Sequence, residues 1–184
     1  MKFNTITYSV MGILLRQPRT GYDVVKDLKS FRPAKSSQIY PILANLEKAG
    51  HASVELAPQI GRPDKKIYEL TDSGKALLFN WLDTEPEPPV TRDDFLSMLF
   101  SVWAKGPAAA ARLLIKRKNY LTRYEKDVVA KHNSLLSLYA NECADPCHPR
   151  FSSKLLYRRR IRLVTEELKW CEESLHELQM LSDI

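Results

Sequence analysis

Apolar residues recur along the first third of the chain with a helical period. Ile6, Val10, Ile13 and Leu14 lie 4, 3 and 1 apart, which puts them on one face of a helix. Gln17-Pro18-Arg19-Thr20-Gly21 breaks the pattern. Thr20 is then placed to cap a second helix, with Tyr22, Val25 and Leu28 as its predicted buried face and Phe31-Arg32-Pro33 as its end. A third helix follows. Ser36 or Ser37 is its expected N-cap, Ile39, Ile42, Leu43 and Leu46 share one face, and Gly50 is the expected stop. Pro41 is tolerable if it falls in or near the first turn, where few N–H groups have partners.

The period then shifts to two. His51–Ala57 and Lys66–Leu70 alternate and read as two short antiparallel strands around the turn formers of Pro58–Lys65. A helix restarts at Thr71 or Asp72 and runs through Trp81. Three helices, a hairpin and a fourth helix describe a winged helix-turn-helix, although an unrelated small α+β domain has the same element order. Three prolines within Thr84–Val90 mark a linker between domains at 1–83 and 91–184.

The second domain reads as helix throughout. Asp93–Trp103 is one short helix. Gly106-Pro107 opens a longer one that reaches about Tyr139, with Leu114, Leu121, Tyr124, Val128, Leu135 and Leu138 as its stripe. Asn141–Pro149 is expected as a loop, and Ser152 or Ser153 as the cap of a final long helix. From Tyr157 that helix carries a heptad seam of Ile161, Val164, Leu168, Cys171, Leu175 and Leu178. Two seamed helices and a short one make a thin core. These six residues are therefore assigned to a homodimer interface across a two-fold axis, with an intramolecular three-helix bundle as the alternative. The expected fold class is mostly α with a small β-wing: a winged helix-turn-helix followed by an all-α dimerisation domain.

Charge adds direction. The net charge is +6, of which residues 1–83 carry +4 and residues 84–184 carry +2. The N-terminal half is the better electrostatic footprint for an anionic partner. Three cysteines (Cys143, Cys147 and Cys171) cannot all pair within one chain, which suits a reducing compartment. No stretch has the make-up of a signal peptide or a membrane span, so a soluble, cytoplasmic protein with no membrane partner is expected.

In a helix-turn-helix the second helix of the motif enters the major groove, N-terminal residues first. Here it begins Lys35-Ser36-Ser37-Gln38-Ile39-Tyr40. Gln38 has the donor and acceptor that adenine matches. Lys35, Ser36, Ser37 and Tyr40 suit phosphate oxygens, and Asn45 is placed two turns further along. Arg62, Lys65 and Lys66 make the hairpin turn basic, which suits backbone tracking or the minor groove. Cys143, Cys147 and His148 lack the repeated pairing of a zinc site, and no metal or cofactor is expected. No phosphate-cradling loop, nucleophile elbow or His-Glu metal motif is present, so no enzyme is expected. The readings are a DNA-binding regulator or, with DNA binding lost, a protein-interaction adaptor.

Three motifs carry a resemblance. They are Gly21-Tyr22-Asp23-Val24; Gln38-Ile39-Tyr40-Pro41-Ile42-Leu43 with Leu46-Glu47-Lys48-Ala49-Gly50; and Gly61-Arg62-Pro63-Asp64-Lys65-Lys66-Ile67-Tyr68-Glu69-Leu70-Thr71 with Gly74. Together they cover almost all of residues 5–83 and resemble the PadR family of transcriptional regulators. The resemblance implies a winged helix-turn-helix and a homodimer bound to double-stranded DNA. It also implies repression or, less often, activation, and a tyrosine at the Tyr40 position that approaches the DNA backbone. In length and helical content the second domain is similar to the virulence-activator type of tail. Family members often respond to small aromatic molecules, and Trp81, Trp103, Tyr120, Tyr124 and Trp170 are candidates to line such a pocket; no effector is named. Many members have Gly where this chain has Ser37 and Ser where it has Lys35, so operator preference does not transfer.

Overall fold

The computed structural model describes residues 3–29, 32, 34–58, 61, 64–90 and 92–182. The chain divides into two compact units, Met1–Pro88 and Pro89–Ile184.

The first unit holds helices α1 (Thr5–Leu14), α2 (Gly21–Lys29), α3 (Ser36–Lys48) and α4 (Asp72–Leu82) and strands β1 (Arg19–Thr20), β2 (Ala52–Ala57) and β3 (Lys65–Leu70). The strands are antiparallel in the order β1-β3-β2. The two-residue β1 was not legible as a strand, because two residues show no alternation. The other elements fall where the periodicity places them. Each start has a local cause. Asn4 caps α1 through the Thr7 N–H, Thr20 accepts from the Asp23 N–H, and Thr71 caps α4 through the Gly74 N–H. Gly50, just past α3, has a φ of 74°, a conformation that costs glycine nothing.

Val10, Met11, Val24, Leu28, Leu43 and Leu46 are fully buried at the centre of this unit. The expected face of α2 needs correction. Val24 and Val25 accompany Leu28 inside, while Tyr22 is 71% exposed. Gly21 occupies the buried place at the start of the helix, where the ring of Tyr40 lies against it. Phe31 and Pro33, expected to end α2, lie outside the described residues.

The second unit holds α5 (Asp94–Ser101), a 3-10 turn (Val102–Lys105), α6 (Pro107–Leu138), α7 (Ala140–Ala144) and α8 (Pro149–Ser182). The expected helix to Trp103 therefore tightens to 3-10 geometry before Gly106, whose φ is 77°. The expected loop contains α7, and α8 starts at Pro149, ahead of Ser152. A proline suits a first helical position because its missing N–H would be unpaired there anyway.

Helices α6 and α8 run antiparallel. Lys118 pairs with Glu172, Glu125 with Thr165, and the His132 ring faces Tyr157, so numbers rise on one helix as they fall on the other. The heptad seam of α8 faces α6. Val164 and Cys171 are buried against Leu114, Leu121 and Phe95 of the same chain, and Leu168, Leu175 and Leu178 pack around them. Ile161 is half-buried. Within the chain α6 covers the centre of the stripe, Val164 and Cys171, while Ile161, Leu168, Leu175 and Leu178 stay half-buried. Arg117 ties the three helices together. It donates to Asp93 at 2.8 Å and to Glu167 at 2.7 Å, and stands 4.8 Å from the centre of the Phe95 ring.

Candidate nucleic-acid interface

Helix α3 buries Ile39, Leu43 and Leu46 and turns its other side to solvent. The N-cap is Lys35, whose side chain has no acceptor, so neither Ser36 nor Ser37 caps the helix. Gln38 makes the reciprocal bond: its Oε1 accepts from the Lys35 backbone N–H at 3.1 Å. That is half of a capping box, with the acceptor three residues into the helix. The side-chain NH₂ of Gln38 remains a donor, and Ser36 and Ser37 are exposed in the first turn. Pro41 is the sixth helical residue, deeper than expected, and with no N–H it leaves the Ser37 carbonyl without an i+4 donor. That end of the helix is solvent-exposed, which makes the loss tolerable.

The exposed positions fall into three lines, because seven residues return a helix to nearly the same angle. Gln38 and Asn45 share one flank. Tyr40 and Glu47 share the other. Ser37, Pro41, Ala44 and Lys48 run between them, spaced 4, 3 and 4, and all four are exposed. Of the residues expected to contact DNA, Ser37, Gln38, Tyr40 and Asn45 lie on the solvent side of α3, and Lys35 and Ser36 are exposed at its open end. Lys48 was not among those expected. The spacing of Lys48 from Ser37 was the available signal.

The hairpin is tethered to α3. Lys66 of β3 donates to both carboxylate oxygens of Glu47, at 3.2 and 3.1 Å. That hydrogen bond raises the Lys66 ammonium above its ordinary pKa. One of the predicted backbone contacts is thus held on the flank of α3. Tyr68, next but one along the strand, is buried, which raises its hydroxyl pKa; Glu47 and Tyr40 add to the rise and Lys66 opposes it. Lys65 is exposed at the start of β3. Arg62 lies outside the described residues. The base of the hairpin is fixed by Thr71, which donates through its hydroxyl to the Gly50 carbonyl at 2.7 Å and through its N–H to the His51 carbonyl at 3.2 Å.

The aromatic candidates have separate partners. Trp81 stacks on Tyr8 at 4.5 Å, Tyr120 stacks on Tyr124, and Trp170 meets the Phe95 ring edge-on. Trp103 is 80% exposed. Cys143 is buried in α7 and Cys147 is exposed in the turn after it. Among the described residues, no cluster of three or more His, Cys, Asp or Glu side chains is placed to hold a metal ion, and no helix is long and apolar enough to cross a membrane.

Residues 10–80 match the model of the transcriptional regulator PadR-like family, and residues 91–179 that of the virulence activator alpha C-terminal region. The negative transcriptional regulator PadR of Bacillus subtilis is 28% identical over 178 residues, covering 92% of this chain and 95% of that protein. The crystal structure of B. subtilis PadR in complex with operator DNA superposes with a TM-score of 0.83 at 25% identity, over 95% of this chain and 99% of that one. The same regulator in complex with p-coumaric acid gives 0.76 at 25% identity, over 96% and 99%. An exposed polar helix start beside a tethered hairpin, two family matches that span most of the chain and this structural likeness agree: the chain belongs to the PadR-like family of DNA-binding transcriptional regulators, with a C-terminal region of the virulence-activator type.

Proposed function

We propose that the chain is a cytoplasmic homodimeric repressor that reads a palindromic operator with α3. Residues 1–83 serve as the DNA-binding domain, 84–90 as the linker, and 91–184 as the domain for dimerisation and effector control. The observation that carries the DNA surface is the solvent-facing side of α3, where Lys35, Ser36, Ser37, Gln38, Tyr40 and Asn45 stand together while the opposite side is buried. Gln38 and Asn45 are the base-reading pair, sharing one flank. Lys35, Ser36, Ser37, Tyr40 and Lys65 take phosphate oxygens, with Arg62 at the hairpin turn. Repression follows the B. subtilis relative, a negative regulator, and a small aromatic effector follows its complex with p-coumaric acid.

With Val164 and Cys171 of the α8 seam covered within the chain, the dimer surface extends to further apolar residues of α8. Leu156, Leu163 and Trp170 lie seven apart on the outer side of α8 and are exposed. Arg158, Arg159 and Arg162 flank the first half of that side, and Glu166, Glu173 and Glu177 the second. A second copy of α8 laid antiparallel sets arginines against glutamates and apolar residues against apolar residues.

The test is binding to a labelled duplex selected from a random pool by the wild-type protein. Gln38→Ala combined with Tyr40→Ala should lower affinity for the selected duplex by roughly 10²-fold, as loss of a base pair contact and a backbone contact implies. It should leave weak binding to random duplex at low salt nearly intact. Full retention of affinity would refute α3 as the reading helix.

A further inference from the structure

Gly21 opens α2 and is buried. A β-carbon built on it would lie 2.6 Å from Cε1 of Tyr40 and 3.2 Å from both Cδ1 and Cζ. Real β-carbons do not approach other carbons at 2.6 Å, so any larger residue at 21 must displace the ring. An edge of the Tyr40 ring, including the carbon that bears the hydroxyl, therefore rests on the bare backbone at the start of α2. Tyr40 is nonetheless 50% exposed.

Neither backbone can easily give way. Residue 21 follows Thr20, whose hydroxyl donates to Asp23 Oδ2 at 2.6 Å and accepts from the Asp23 N–H. Thr20 also pairs with Ile67 of β3. The start of α2 is thereby fixed by its own cap and by the sheet. On the other side, Ile39 and Leu43 anchor the backbone of α3 in the core. With both backbones held, the only soft coordinate left at this contact is the Tyr40 side chain.

We infer that Gly21 is a positioning residue for DNA binding: the missing β-carbon lets the Tyr40 ring lie against α2, and this holds the hydroxyl of an exposed side chain at one place on the surface of α3. An exposed tyrosine on a helix otherwise samples several rotamers, and holding it in one removes that entropy loss from the binding step. The inference rests on Tyr40 contacting DNA as proposed above.

A double-mutant cycle tests it, because a residue that acts only through Tyr40 has no effect once Tyr40 is removed. Gly21→Ala should weaken binding to the selected duplex by roughly ten-fold, within the usual range for coupled neighbours. Tyr40→Ala should weaken it at least as much, and Gly21→Ala with Tyr40→Ala no more than Tyr40→Ala alone. Circular dichroism should show all three folded. Wild-type affinity in Gly21→Ala, or two losses that multiply in the double variant, would overturn the inference. If Gly21→Ala unfolds, the double variant must regain the fold because the clash is gone; a double variant that stays unfolded overturns the inference too. If Tyr40→Ala alone binds as the wild type does, the assignment of Tyr40 to DNA fails, whatever the outcome at Gly21.

Discussion

In the N-terminal unit, residues from all four helices and from the hairpin enclose one core. Val10, Leu28, Leu43 and Leu46 have no exposed surface. In the C-terminal unit the buried residues form a line. Leu114 and Leu121 of α6 meet Val164 and Cys171 of α8, and Phe95 closes one end. Around that line lie exposed apolar side chains, among them Phe100, Trp103 and Leu163. A globular core shields its apolar residues from every side, whereas two antiparallel helices shield only the seam between them. The first unit closes its core within one chain. The second has the exposed apolar surface expected of an interaction domain.

Four substitutions can break or sharpen this contrast. The largest effect is expected from Leu43→Ala, which opens a cavity where the surroundings are fixed on all sides. Stability of the N-terminal unit should fall by about 2–5 kcal/mol, read as a lower midpoint in thermal or urea unfolding. A loss below about 1 kcal/mol would mean that the core is softer than its burial implies.

A middle effect is expected from Leu163→Lys. The residue is 53% exposed, so the fold of a single chain should change by no more than about 0.5 kcal/mol. In sedimentation, however, the mass should fall from that of a dimer to that of a monomer. Leu121→Ala, inside the seam, should do the reverse and destabilise the hairpin of α6 and α8 before it changes the assembly. A dimer unchanged by Leu163→Lys would move the interface off the outer side of α8.

The smallest effect belongs to Asp23→Asn, at the capped start of α2. The Thr20 hydroxyl beside Asp23 holds its carboxyl below the usual pKa of 3.8, against a partial rise from burial. A carboxyl whose pKa is lower in the folded state adds stability above its unfolded value, and that stability is lost as pH falls through the folded value. The gap in melting midpoint between wild type and Asp23→Asn should therefore be present at neutral pH and shrink on acidification below about pH 4. A gap independent of pH would show that the effect is not one of charge.

Much of this was legible in the residues. The helix stripes of Val10, Leu43 and Val128, the alternation of β2 and β3, and the stops at Gly50 and Gly106 are consequences of local backbone geometry. So is the cluster from Lys35 to Tyr40, because a helix with one apolar face must present its other side to solvent. The misplacements share a cause. Tyr22 has the right spacing for the buried face of α2, but the place is taken by Gly21 and the ring of Tyr40. Ser36 and Ser37 have the right chemistry for a cap, but the helix already begins at Ser36, with Lys35 at the cap and Gln38 bonded back to its N–H. Lys66 is a basic residue near the hairpin turn, but Glu47 of another element holds it. Each depends on a partner distant along the chain or on a competition between neighbours, which periodicity does not rank.

The sequence by itself determined the two-part layout, the element types and the polar side of α3, because each follows from the spacing of residue types along one backbone. Only the tertiary structure decided what each apolar stripe packs against. The heptad seam of α8 shows the reason most plainly. A stripe from Val164 to Leu178 states that it must be covered, but α6 of the same chain and a helix of a second chain cover it equally well. The antiparallel match of α6 with α8 covers Val164 and Cys171, and leaves Leu156 and Leu163 of α8 exposed.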